Sequence, residues 1–239
     1  MSNALYLTSN WPEISGHTIY SGTLGRDSVV LDLGAHVADF SKAVAAAFSC
    51  TCHAVEALPE NFAAIVESPR LRRHQFAVCD RDGAIDIATA AGEFPSATSL
   101  PSMSNGAVRV QAITLDRLVE RLGLGAVDLL KVDIEGAEIP MFDAASDTTL
   151  RRCAQITVEF HDFVEPGMGP AIERITRRLH GIGFSSIKFT RKHHGDVLFV
   201  DLAKVPISAL EFARARNVIR ASRGIGRIVA RQLGRARPQ

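Results

Sequence analysis

The chain has 239 residues, 46% hydrophobic and 22% charged, with a formal net charge of +1 at pH 7. That size and mix suit one large or two small globular domains with a substantial core, and the near-zero charge offers no global field for nucleic acid. No run approaches the roughly 20 apolar residues that span a bilayer, and "MSNALYLTSNWPEI" lacks the basic start and apolar stretch of a leader peptide, so a cytoplasmic setting is expected.

In chain order, "SVVLDLG" predicts a buried strand stopping at Gly34, and "DFSKAVAAAF" a helix. "CTCHAVEA" is a second strand, and "PENFAAIVES" a helix with Pro59 in its first turn. "HQFAVCD" reads as a third strand and "GAIDIATA" as an extra strand or hairpin arm. "AGEFPSATSLPSMSNGA", rich in Gly, Pro and Ser, predicts a long loop over a site. "VRVQAITLDRLVERLGL" gives a strand and a helix ending at Gly123. "AVDLLKVDI" is a central strand, and "EGAEIPMFDAA" starts a helix. "AQITVEFHDF" is another strand, "PAIERITRRLHGIGF" an amphipathic helix, and "SSIKFT" with "DVLFVDL" a closing strand pair.

Helices alternating with almost continuously apolar strands predict an α/β fold: a mostly parallel sheet, helices on both faces, and a closing antiparallel strand. The expected boundaries are an N-terminal extension over 1–26, the α/β domain over 27–203 and a basic amphipathic helix over 204–239. Cys50, Cys52, Cys79 and Cys153 lack a C-x-x-C spacing and read as reduced core thiols.

In such folds ligands bind at the carboxyl ends of the strands. The polar residues there are Asp32, Glu56, Asp80, Asp133 with Glu135, and Glu159 with His161. A carboxylate at Glu56 suits the two hydroxyls of a ribose. After Gly34 come Ala35, His36, Val37, Ala38 and Asp39, so the second and third glycines of a dinucleotide fingerprint are missing. S-adenosylmethionine (SAM) has no phosphate, and its cationic groups favour nearby acids. An ordinary strand-turn-helix with polar ends is the competing reading of this stretch.

"LLKVDIEGAE", between "ITLDRL" and "ITVEFHDF", resembles the signature of the FkbM family of SAM-dependent methyltransferases. "VVLDLGAHVADFS" is similar to that family's first motif and "HAVEALPENF" to its second, with "FAVCDRDGAIDI" and Ser99-Leu100 in the right order. The resemblance covers roughly residues 27 to 201. The family usually has glycine where this chain has Ala38, and asparagine where it has His36. The resemblance implies a class I methyltransferase (Rossmann-like) fold, SAM as cofactor, and methyl transfer to an oxygen of a sugar or polyketide-like small molecule. It implies a cofactor-binding set of Asp32, Gly34, Ala35, His36, Glu56, Ala57, Asp80 and Asp133.

For methyl transfer the protein aligns the reactants and removes a hydroxyl proton. Asp133 is placed for the cofactor or acceptor, Glu135 for acceptor hydroxyls, and Lys131, on the same strand face, to hold the carboxylates ionised. His161 is the expected proton acceptor, with Glu159 or Glu135 stabilising the imidazolium. The competing reading makes Lys131, Asp133 and Glu138 a helix-capping ion-pair network. No ligand spacing demands a metal, and none is assigned, although Glu159, Asp133 and Glu135 supply oxygens enough. His193 and His194 read as hairpin residues.

From Phe212 to Gln239 there are eight Arg and no acid. Arg216, Arg220, Arg223, Arg227 and Arg231 form a helical stripe opposite Val218, Ala221, Ile225, Ile228 and Val229. This pattern suits peripheral contact with an anionic membrane or a homodimer contact, or a helix docked on its own domain. A nucleotide-dependent oxidoreductase and a non-catalytic SAM-binding module are the alternatives; the missing glycines oppose the first and the polar strand ends oppose the second.

Overall fold

The computed structural model describes residues 10–89, 97–98, 106–162, 167–190 and 192–219. Most of the Ser- and Pro-rich loop, the Ser99-Leu100 step and the arginine stripe beyond Arg216 lie outside these residues.

A two-residue hairpin, β1 (Glu13–Ile14) and β2 (His17–Thr18), precedes the expected domain. Then come β3 (Val29–Leu33), α1 (Asp39–Phe48), β4 (Thr51–Glu56), α2 (Pro59–Ala64) and β5 (Leu71–Gln75). Strands β6 (Ala77–Cys79), β7 (Gly83–Thr89), β8 (Ala97–Thr98) and β9 (Gly106–Thr114) form a separate small sheet in the order β6-β9-β7-β8. The chain continues with α3 (Leu115–Arg121), β10 (Leu129–Val132), α4 (Glu138–Ala144), α5 (Asp147–Leu150), β11 (Gln155–Val158), α6 (Gly169–Gly181), β12 (Phe184–Lys188), β13 (Val197–Asp201) and α7 (Ala209–Arg214).

The main sheet has the order β12-β13-β11-β10-β3-β4-β5. Only β13 runs against the common direction of the other strands. The strand order reverses between β3 and β10, which marks the ligand end of such sheets. The fold class is the expected one.

Period-two alternation divides the core. Val30, Cys52 and Leu129 face Phe40 and Val44 of α1. Leu31, Leu33, Leu130, Val132, Ile156 and Val158 join a cluster that includes Leu118, Phe142, Ile172 and Leu179, from α3, α4 and α6. Burial on both faces explains why these strands read as unbroken apolar runs.

The third strand differs from expectation. It breaks at Phe76: Leu71–Gln75 stays in the main sheet and Ala77–Cys79 crosses to the small one. As an edge strand, "LRRHQ" carries little apolar signal. The described part of the N-terminal extension packs into the domain. The Tyr20 N–H donates to Gln155 Oε1 at 2.9 Å, and Thr18 donates its N–H and hydroxyl to Asp196 at 3.0 and 2.7 Å. At the other end Phe212 and Ala215 pack on Trp11, Tyr20, Leu198 and Val200, so the tail starts as a docked helix. No helix among the described residues is long and apolar enough to cross a membrane. All four cysteines are buried free thiols.

Candidate active site

The alternation that buries Leu129 beneath α1 puts Lys131 and Asp133 on the same face, beside Asp32 of β3. Lys131 is 3% exposed and Asp32 fully buried. The Lys131 ammonium stands 3.1 Å from Asp32 and 3.4 Å from Asp133. It donates to the backbone oxygens of Gly34, at 2.9 Å, and Leu33, at 3.4 Å. Burial alone would push Lys131 down, but Asp32 and then Asp133 outweigh it and hold the ammonium above its usual range. Lys131 is thus a tie between β10 and the turn after β3, sealed from solvent.

Asp32 takes its remaining contact from Ser41 Oγ at 2.7 Å. Fully buried and held by Ser41 and Lys131, this carboxylate lies beneath the turn and fastens α1 to it.

That turn is tight. A Cβ on Gly34, at φ 73°, would lie 1.7 Å from the Asp133 carbonyl oxygen, so only glycine lets the ends of β3 and β10 cross. His36 and Ala38 also take left-handed backbone, at φ 52° and 64°. The second explains the family's glycine at Ala38; a methyl group there costs about 1–2 kcal/mol. Ala35 is buried, while His36 and Ala57 flank Glu56 with more exposure. Glu56 accepts from the N–H groups of His36, at 2.8 Å, and Leu58, at 2.9 Å. Burial pushes its carboxyl up against these hydrogen bonds. Asp80 stands apart: exposed, beyond β6, it pairs with Arg81 through two contacts of 2.8 and 3.0 Å.

The far side is built by the turn after β10. Glu135 and Gly136 are left-handed, at φ 53° and 100°. Glu138, fully buried, accepts from the N–H groups of Ile134, at 3.0 Å, and Gly136, at 3.1 Å. The same oxygen meets His161 Nδ1 at 3.0 Å. His161 Nε2 lies 3.3 Å from Glu135 and 3.8 Å from Asp133. Burial alone would lower His161, but Glu135 and Glu138 push it up to about 10. Both ring nitrogens face carboxylates, which favours the protonated ring over the expected neutral proton acceptor. Asp133 resists protonation: burial would raise it, but Lys131 and then His17 pull it well below the carboxylate range. Glu159, half-buried after β11, is pushed up by burial and then by Asp133.

Expectation and structure agree that Lys131, Asp133, Glu135, Glu159 and His161 converge. Glu138 holds both the turn and His161. His194 braces the strand ends, with its ring 2.7 Å from Asp162. Sequence reasoning missed His17. It is fully buried, with Nε2 3.4 Å from Asp133 and Nδ1 3.5 Å from Thr157 Oγ1. A two-residue hairpin has no periodicity to reveal it.

The profile of a family described as Methyltransferase FkbM domain matches residues 32–186. A 74-residue stretch is 35% identical to the AMB antimetabolite synthetase AmbE of Pseudomonas aeruginosa, covering 30% of this chain and 3% of that protein. Among solved structures, the chain is similar to precorrin-6y C5,15-methyltransferase from Geobacter metallireducens GS-15, with a TM-score of 0.39 and 13% identity over 74% of this chain and 81% of that one. It is also similar to P. horikoshii TYW2 in complex with MeSAdo, with a TM-score of 0.36 and 14% identity over 75% of this chain and 58% of that one.

Proposed function

The chain belongs to the FkbM methyltransferase family, and on that premise we propose that it methylates a hydroxyl oxygen of a sugar or polyketide-like small molecule, with SAM as methyl donor. The observation that carries this reading is the junction at the carboxyl edge, where Lys131 ties the Gly34 turn to the Asp133-Glu135 turn.

The donor set fits SAM. The turn after β3 lacks the further glycines that a pyrophosphate requires, which disfavours the oxidoreductase reading. Glu56 ends β4 with a carboxylate that can accept ribose hydroxyls, beside the Gly34-to-Ala38 turn. The acids along the edge complement a cationic ligand. When bound, SAM supplies an electrophilic methyl group on a sulfonium.

The other roles fall to this chain's own side chains. Lys131 and Asp32 hold the floor rigid. His161, as a cation, donates hydrogen bonds and steadies Glu135. Glu135 is exposed beside His161, so it is the carboxylate most open to an acceptor. We assign it the proton that the hydroxyl loses; half-buried Asp133, tied to Lys131, serves alignment instead. The carboxylates favour a hydroxyl-bearing acceptor, whose oxygens they can receive as hydrogen-bond donors.

The test is a screen of sugar and polyketide hydroxyls with methyl-labelled SAM, with products located by mass spectrometry. Label on oxygen supports the reading; label found only on nitrogen or carbon refutes it.

A further inference from the structure

Two groups near the ion-pair chain have no part in the roles above: the buried His17 and the half-buried Glu159. A ring nitrogen of His17, an Asp133 oxygen and a Glu159 oxygen all lie within 4.8 Å of one another. We propose that His17, Asp133 and Glu159 form a site for a divalent cation at the acceptor end. One imidazole and two carboxylates make an oxygen-rich donor set suited to Mg²⁺ or Mn²⁺.

Two features point the same way. First, the half-buried Glu159 carboxylate makes no hydrogen bond or ion pair with any described residue, although the Glu159 backbone N–H donates to Val132 at 3.0 Å. A carboxylate partly withdrawn from water without a partner is costly unless a cation compensates it.

Second, His17 is held in place to offer a lone pair. Its ring meets Phe40 edge-on, with centroids 5.8 Å apart. Its Nε2 lies 3.4 Å from Asp133, and in the tautomer that donates Nδ1–H to Thr157 that nitrogen can ligate a cation in place of its contact with Asp133. Asp133, Glu135 and His161 also cluster, but His161 faces Glu138 at 3.0 Å and Glu135 at 3.3 Å. Both of its ring nitrogens are thus already engaged by carboxylates.

The sequence hides this site because His17 lies 116 residues from Asp133 and before the family match, which begins at residue 32. Three protein ligands leave coordination positions for water and an acceptor oxygen, and coordination acidifies a hydroxyl. That catalytic part rests on the methyl-transfer reading; cation binding does not.

The experiment strips the full chain of metal with a chelator and titrates it with MnCl₂ in the absence of SAM, following free Mn²⁺ by electron paramagnetic resonance. The expected result is one Mn²⁺ per chain, bound about tenfold or more weakly by Glu159→Gln and by His17→Gln, and unchanged by the exposed control Glu120→Gln. If His17→Gln does not fold, Glu159→Gln, at a half-buried strand end, carries the test. No Mn²⁺ binding by the wild type, or equal binding by Glu159→Gln, overturns the site. Calorimetry with S-adenosylhomocysteine, without metal, runs in parallel. Mn²⁺ binding without nucleoside binding keeps the cation site and sinks the methyl-transfer reading instead.

Discussion

The Lys131 ammonium donates to the Gly34 carbonyl oxygen at 2.9 Å, joining the residue before the acidic turn to the glycine of the first turn. Two sequence motifs nearly a hundred positions apart thus form one piece of structure. The buried ion pairs around Lys131 fix where the turns meet, a role that does not itself require them to add stability.

Removing the tie should therefore be costly. Lys131→Met strands Asp32 and Asp133 without their cation, and loss of one partner of a buried pair typically costs about 3–5 kcal/mol. Urea unfolding should register that loss. The double variant Lys131→Met/Asp32→Asn should recover part of it, because the fully buried charge is gone. Equal stability of Lys131→Met and wild type would contradict the burial of the pair.

Gly34 and Gly123 both have positive φ, at 73° and 64°, but differ in their surroundings. A Cβ at Gly123 meets nothing within 4 Å, whereas one at Gly34 would strike Asp133 backbone. Gly123→Ala should cost about 1–2 kcal/mol from the backbone conformation alone. Gly34→Ala should cost about 4 kcal/mol or more, the range reserved for severe steric defects. Thermal melts of the pair separate conformation from collision.

Stability should also depend on pH through two histidines away from the site. His53 Nδ1 and His74 Nε2 are 3.0 Å apart on β4 and β5. Burial and then the charge of His74 lower His53 from 6.5 to about 4, and His74 is lowered chiefly by burial. Between those values the unfolded chain binds more protons than the folded one, so acid favours unfolding. The contribution is fully present above about pH 6.5 and is lost as the pH falls toward 4. A His53→Gln/His74→Gln variant should flatten the melting temperature across that window.

The assignment of Glu135 as proton acceptor predicts a kinetic signature. Glu135→Gln keeps the side-chain shape and should lower turnover about 10²–10⁴-fold, the usual range of general-base catalysis. Affinity for S-adenosylhomocysteine should stay near wild type. Unchanged turnover would return the role to the other carboxylates of the edge.

Much of this was legible in the sequence, for stated physical reasons. Strands such as "VVLDL" and "LLKV" lie in the centre of the sheet, so both faces are apolar and their ends stand out as Asp32 and Asp133. Asp39–Phe48 is helical as its composition predicts. Edge positions were harder: β5 is polar, and α5 is a single turn of four residues. Side-chain roles were harder still. That Asp32 is sealed, that His161 carries a proton and that His17 joins Asp133 depend on distances between distant segments, which no local pattern encodes.

The central claim is a SAM site at the carboxyl ends of β3 and β4, and calorimetry with the full chain tests it most directly. SAM and S-adenosylhomocysteine should bind, NAD should not compete, and Glu56→Ala, checked for folding by circular dichroism, should bind about tenfold or more weakly, since hydrogen bonds to a charged acceptor contribute about 1.5–3 kcal/mol. NAD bound as tightly as SAM, or a folded Glu56→Ala with wild-type affinity, would contradict the account.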